Sequence, residues 1–152
     1  MILSEYANNE VDVQKVIKMA IIHDIVEIYT SDTFIYDEKG KESQTERERI
    51  ASEKIFGLLP EDQKIFYVEL WNKFENNSTN ESKFARSIDR IMPLLLNMKS
   101  NSIGWKENKI GYSQVYEISG RLAGGFSTLW HYINEKLEEN KDRGVFYYSE
   151  LQ

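Results

Sequence analysis

The residues whose types and spacing could do chemistry are concentrated at 23–27, where the sequence reads HDIVE. On a helix, His23 and Glu27 share one face and Asp24 lies close to Glu27, because side chains three or four residues apart are neighbours. The helical stripe that contains this group consists of Val16, Ala20, His23 and Glu27. Ionisable groups on such a stripe are costly to bury unless they are paired or bind a metal. The alternative, which this short motif leaves open, is a helix-end cluster that emerges into solvent.

A second carboxylate, Asp89, stands alone on an apolar face of a later helix. The stripe of that helix consists of Ala85, Asp89, Met92 and Leu96. Pro93 removes the hydrogen bond to the carbonyl of Asp89 and should kink the helix there. A buried aspartate at a kink is more typical of a functional site than of a plain core. The alternative is an aspartate paired with Arg86 or Arg90.

Apolar residues recur with helical spacing through the segments that must position these residues. The exception is a short apolar tail at 145–148. We therefore predict an all-α bundle of six or seven helices. The first is an apolar helix end at 2–6, and the others run from Asp12 to Tyr29, Thr45 to Leu58, Pro60 to the loop at 76–80, Glu81 to Lys99, Ser113 to the break at Gly124-Gly125, and Ser127 to Lys141. Residues 30–44 and 100–112 are expected to be loops.

Local signals mark several of the predicted helix ends. Asp12 is suited to capping the His-Asp helix, and Thr45 with Glu48 has the spacing of a capping box. Pro60 favours a first helical turn, and Gly144 favours a stop after the last helix.

The overall composition indicates one soluble globular domain over residues 1–152, with 41% hydrophobic and 29% charged residues. A net charge of −6 argues against nucleic acid as a partner, because phosphate contacts require clustered Lys and Arg. The sequence has no cysteine, so a metal must be bound by His, Asp, Glu or water. We see neither a membrane span nor a signal peptide, and we expect a cytoplasmic protein.

Two motifs together resemble a known family. The pattern HDxxExxxxD, which begins at His23 and ends at Asp32, and the segment KFARSID, which ends at Asp89, resemble the HD-domain superfamily. The resemblance is closest to the branch of bacterial, archaeal and eukaryotic 5′-deoxynucleotidases. Other matching segments are LLPED at 58–62, ELW at 69–71, RIMPLLLN at 90–97 and GYSQV at 111–115.

The resemblance implies an HD-type helical bundle with one divalent metal ion. In that family the ion is held by an upstream histidine, the His-Asp pair and the distant aspartate. His23, Asp24 and Asp89 are then the metal ligands. Imidazole with two carboxylates suits Mn, Co, Fe or Zn better than Ca.

The resemblance also implies roles for three further residues. Glu27 matches the acid/base that handles the proton of the attacking water, and Asp32 matches a second acidic residue near the substrate or leaving group. Arg86, three residues before the distant aspartate, matches a phosphate contact. For Arg86 a solvated surface charge remains the alternative.

The first histidine of the family pattern would fall before Met1. The two histidines of this sequence are His23 and His131, and His131 lies where the family carries a solvent-facing residue. We therefore expect an N-terminally incomplete HD domain that binds its metal weakly and is a poor phosphatase. Ile17 and Ile21 should lack a partner, and a homodimer could cover them.

Three functions are compatible with these residues. The leading hypothesis is hydrolysis of a nucleoside 5′-monophosphate to nucleoside and phosphate. The second is hydrolysis of a signalling nucleotide, and the third is a catalytically impaired helical module that only dimerises. A measurement of metal content would separate the third from the two enzymatic functions.

Overall fold

The computed structural model describes residues 2–30, 35–100 and 103–147, and all regular elements among them are helical. The helices are α1 (Val13–Thr30), α2 (Glu38–Phe56), α3 (Glu61–Glu75), α4 (Asn80–Lys99), α5 (Ile103–Glu107), α6 (Tyr112–Gly120) and α7 (Ser127–Asp142), with 3₁₀ segments at Ile2–Tyr6 and Arg121–Gly124. The predicted all-α class is confirmed. In these described ranges, no helix has the combination of length and apolar character needed to cross a membrane.

The chain divides into two compact units, and the boundary falls inside α4. The first, here called the α1–α3 unit, comprises Asp12–Ala85. The second, the α5–α7 unit, comprises Met1–Val11 together with Arg86–Gln152. Each unit is described by itself below.

In the α1–α3 unit, the three helices pack against one another pairwise. Helix α1 starts as predicted, because a side-chain oxygen of Asp12 accepts hydrogen bonds from the backbone amides of Gln14 (3.0 Å) and Lys15 (3.1 Å). Its buried face consists of Val16, Met19, Ile22 and Val26. The predicted stripe is therefore displaced: His23 and Glu27 lie along the edge of the buried face and are partly exposed. The larger aliphatic side chains occupy the interior instead.

The predicted loop at 30–44 is wrong from Glu38 onward, where helix α2 begins. The helix begins there because a side-chain oxygen of Asp37 caps the amide of Gly40 at 3.0 Å. The expected capping box at Thr45 is wrong. Glu48 lies within the helix, where it is buried and accepts a hydrogen bond from Gln44 at 2.7 Å.

Helix α4 runs through Pro93 as predicted, but its buried face differs from the predicted stripe. The buried residues of α4 are Ser82, Phe84, Ala85, Ser87, Ile91 and Leu94. Asp89 is exposed, and so are Met92 (54%) and Leu96 (62%). The expected burial of Asp89 is wrong, because the neighbouring face with its larger aromatic and aliphatic groups points inward.

The α5–α7 unit contains a helix where the sequence predicted a loop. The short helix α5 lies within residues 100–112, and its buried Trp105 stacks on Phe146 with ring centroids 5.1 Å apart. Helix α6 begins at Tyr112, and α6 packs against α7. Helix α7 stops at Asp142, and Gly144 takes a φ of 67°, which confirms the predicted end.

Asn8 connects the beginning of this unit to the start of α7. Its side-chain oxygen accepts hydrogen bonds from the amide and the hydroxyl of Ser127, both at 2.7 Å. Its side-chain amide donates to the carbonyl of Ala123 at 2.7 Å, and its backbone amide donates to Gly125 at 3.0 Å. Asn8 therefore supplies the cap of α7 from a distant part of the chain.

Candidate metal centre

His23 is held in one orientation by a hydrogen bond through its ring and by an aromatic contact. Its Nδ1 lies 2.8 Å from the carbonyl oxygen of Ala20, one turn earlier on α1. The ring packs against Phe74 of α3, with centroids 4.5 Å apart and planes tilted by 36°. Because a carbonyl only accepts hydrogen bonds, the proton of a neutral imidazole must be on Nδ1. Nε2 then carries a lone pair, which is the arrangement found in metal-binding histidines.

Asp24 places a carboxylate oxygen beside that nitrogen. The distance from Asp24 Oδ1 to His23 Nε2 is 3.3 Å, and the two side chains are 71% and 11% exposed. A nitrogen lone pair and a carboxylate oxygen repel each other unless a cation lies between them, either a proton on Nε2 or a metal ion. The chemistry of this donor pair therefore fits a divalent transition metal that accepts both imidazole and carboxylate.

Glu27 lies one helical turn beyond His23 on the same helix and is half-buried. Four residues of α-helix rise about 6 Å along the axis and complete about one turn. The Glu27 carboxylate therefore lies on the same side of α1 as His23. The α1–α3 unit thus brings three of the predicted site residues onto one stretch of α1.

The remaining predicted site residues are not among the described residues of the α1–α3 unit. Asp89, which is exposed, and Arg86, which is half-buried, are on α4 in the α5–α7 unit. Asp32 falls outside the described residues. Within either unit, the described part of the chain contains no group of three or more His, Asp or Glu side chains arranged to hold a metal. The ligand set of His23, Asp24 and Asp89, and the other assigned roles, stay predictions.

The outer side of α1 is apolar around Asp24. Ile17 is 42% exposed, Ile21 54% and Ile28 75%, so these side chains present apolar surface to solvent, whereas the expectation that Ile17 and Ile21 lack a partner stays a prediction. His131 is also exposed, on α7. Homodimer formation stays a prediction.

A groove between the first turns of α1 and helix α3 was not expected from the sequence. It has a volume of about 280 Å³ and includes three lysines, Lys15, Lys18 and Lys73. Two of these are engaged by carboxylates: Lys15 lies 3.3 Å from Glu81, and Lys73 lies 3.9 Å from Glu69. The i, i+3 spacing of Lys15 and Lys18 was the available sequence signal, but the paired charges give the groove little net attraction for an anion.

Comparison with known proteins adds independent information on the family. Residues 1–130 match the family described as HD domain. The chain is 34% identical over 111 residues to 5′-deoxynucleotidase HDDC2 of Mus musculus, which covers 73% of this chain and 53% of the relative. It is 32% identical to the protein of the same name from Bos taurus, with 73% and 52% covered. The chain thus spans about half the length of the curated relatives it matches.

A solved structure is similar over almost the whole chain. The crystal structure of a predicted metal-dependent phosphohydrolase from Magnetospirillum magnetotacticum superposes with a TM-score of 0.90 at 37% identity. The superposition covers 97% of this chain and 74% of that one. Since the family match also extends over most of the sequence, the chain belongs to the HD domain family.

Proposed function

We propose that this protein is a metal-dependent phosphohydrolase that releases phosphate from deoxynucleoside or nucleoside 5′-monophosphates. The observation that carries the proposal is the pairing of His23 Nε2 with Asp24 Oδ1 at 3.3 Å, with Nδ1 of the same ring held by Ala20. The names of the similar proteins, 5′-deoxynucleotidase and predicted metal-dependent phosphohydrolase, support this reaction class.

His23 and Asp24 would hold the metal ion, with Asp89 as the third ligand from this chain. The donor set favours an ion of the Mn, Co, Fe or Zn class. Such an ion lowers the pKa of a bound water and polarises the phosphoryl group.

The chain's own residues would do the rest of the chemistry. The Ala20 carbonyl and the Phe74 ring keep the imidazole oriented, and Arg86 would contact the phosphate. Water oxygen bonds to phosphorus while the bond from phosphorus to the 5′-oxygen breaks, and the proton of the water passes to Glu27. The leaving 5′-oxygen takes a proton from Glu27 or Asp32, so that nucleoside and phosphate are the products.

The experiment is phosphate release from deoxynucleoside 5′-monophosphates with added Mn or Co. The matching 3′-monophosphates serve as controls, and a cyclic dinucleotide represents the signalling substrates. Release is followed over long incubations at high enzyme concentration. We expect the 5′-esters to react faster by at least about tenfold, which corresponds to roughly 1.4 kcal/mol of transition-state preference.

Two results would contradict the proposal. Faster release from the cyclic dinucleotide would favour the signalling-nucleotide hydrolase. Absence of both bound metal and phosphate release would favour the dimerising helical module, which sedimentation at micromolar concentration would then test.

A further inference from the structure

Arg47 of α2 contacts the very end of the helix that carries the candidate metal centre. Its Nη1 donates a hydrogen bond of 3.0 Å to the carbonyl oxygen of Thr30, the last residue of α1. The last carbonyls of a helix have no partner within the helix, and the helix dipole makes this end negative. A guanidinium is well suited to both conditions, because it is always charged and has five donors.

The same guanidinium also binds the start of α2. Its Nη2 donates to the carbonyl of Gly40 at 3.3 Å, and its Nε donates to the hydroxyl of Ser43 at 3.3 Å. Gly40 is itself fixed by the cap from Asp37. One planar group therefore joins the last turn of α1 to the first turns of α2, from a position 17 residues beyond Thr30 in the sequence.

The last turn of α1 consists of residues 27–30, and Glu27 is its first residue. Terminal helical turns fray unless their carbonyls are satisfied, and fraying would displace the Glu27 carboxylate from the His23 side of the helix. We propose that Arg47 is a positioning residue for Glu27, which it holds in place by closing the end of α1. This inference rests on the proposed hydrolase function, in which Glu27 accepts the proton of the water.

Arg49 offers a matched control two residues further along α2. It is exposed, and its described partners are Glu46 at 2.8 Å and Glu53 at 2.5 Å on the same helix. Exposed pairs of this kind contribute little to stability. Replacing Arg49 removes the same charge from the same helix without touching the end of α1.

The experiment compares Arg47→Ala, Arg47→Lys and Arg49→Ala in the full chain with Mn. Hydrogen exchange is followed on peptides that cover residues 24–30, and phosphate release is measured at several substrate concentrations. We expect Arg47→Ala to speed exchange at the end of α1 by roughly tenfold or more and to lower kcat with little change in KM. Arg47→Lys should recover part of both losses, because an ammonium can reach the Thr30 carbonyl but cannot span to Gly40. Arg49→Ala should match the wild type.

Several outcomes would overturn the inference. A raised KM with unchanged exchange would mean that Arg47 contacts the substrate directly. Unchanged exchange and unchanged kcat in Arg47→Ala would make it an ordinary surface charge. If Arg47→Ala does not fold, Arg47→Lys must still show faster exchange than Arg49→Ala, and equality of the two would overturn the inference. A wild type without hydrolysis would remove the proposed function, whereas normal hydrolysis with unchanged exchange would remove the inference about Arg47 alone.

Discussion

His23 and Ala20 are joined by a hydrogen bond in which the ring Nδ1 lies 2.8 Å from the backbone carbonyl oxygen. The acceptor is part of the helix itself, so no side chain is needed to select the tautomer. Because the ring also packs on Phe74, rotation about the side-chain bonds is restricted. The imidazole is therefore preorganised before any cation binds, which lowers the entropic cost of binding one.

Replacing His23 by Ala should weaken Mn binding by roughly 100-fold or more, since even the loss of a residue that only supports a ligand costs about 10- to 100-fold. His131→Ala is the matched control, because that histidine is exposed on α7. Titration of the metal by calorimetry, together with metal analysis of the purified variants, measures the effect. Equal affinities for His23→Ala and the wild type would exclude His23 as a ligand.

Glu27→Gln should lower kcat by about 10²- to 10⁴-fold, because the amide keeps the shape of the side chain but cannot take a proton. Metal affinity should stay within about threefold of the wild type, well below the cost expected for losing a ligand. The measurements are phosphate release and metal titration on the same preparations. If turnover persists, the proton acceptor is another residue.

Asp89→Asn should reduce metal binding, because a neutral amide is a weaker ligand for a divalent cation than a carboxylate. Asp142→Asn makes the same change of charge at an exposed position at the end of α7 and should leave metal binding unchanged. Competition against a colorimetric chelator can rank both variants. Similar metal affinity for the two variants would remove Asp89 from the ligand set.

Tyr112→Phe should destabilise the protein at neutral pH, because the Tyr112 hydroxyl donates a hydrogen bond to Glu138. That hydrogen bond is the main cause that holds the pKa of Glu138 below its ordinary value of 4.5, with the nearby Lys141 ammonium adding to it. Burial, and then Glu138, raise the pKa of Tyr112. The carboxylate's contribution is therefore complete above pH 4.5 and is lost as the pH falls through its lowered pKa.

Thermal unfolding at pH 7 and pH 3 checks this dependence. The difference in Tm between wild type and Tyr112→Phe should be larger at pH 7. It should also shrink at strongly alkaline pH, as the pH rises through the raised pKa of Tyr112. Tyr132→Phe is the control, because Tyr132 is half exposed and its ring, which faces Lys136, is retained. A pH-independent difference would show that the hydrogen bond to Glu138 does not contribute.

The parts of the fold that were predictable from sequence depend on neighbours in the chain. Asp12 and Gly144 mark helix ends through contacts and dihedral angles within a few residues. The start of α2 was missed because Asp37 caps a highly polar first turn that has no apolar periodicity. The short α5 was missed because Trp105 is buried by Phe146, a residue far along the chain.

The candidate site was predictable in residue types and not in geometry. Adjacent stripes of α4 carry comparable apolar residues, so periodicity alone could not decide whether Asp89 or Ile91 points inward. The partner of His23 is a backbone carbonyl, which no residue type reveals. In the sequence, Arg47 is one of many charged residues in a polar helix. Its contact with the end of α1 is visible only in the structure.

The hydrogen bonds of Asn8 have a consequence for the order in which the chain folds. Asn8 and Ser127 are 119 positions apart, so the α5–α7 unit cannot be completed until α7 has been synthesised. The α1–α3 unit, by contrast, is continuous in sequence and depends on contacts of shorter range. Since long-range closure slows folding and chains emerge from the ribosome N-terminus first, the helices around His23 should form early. The segment before α1 can then form its hydrogen bonds through Asn8 only after the rest of its own unit has been synthesised.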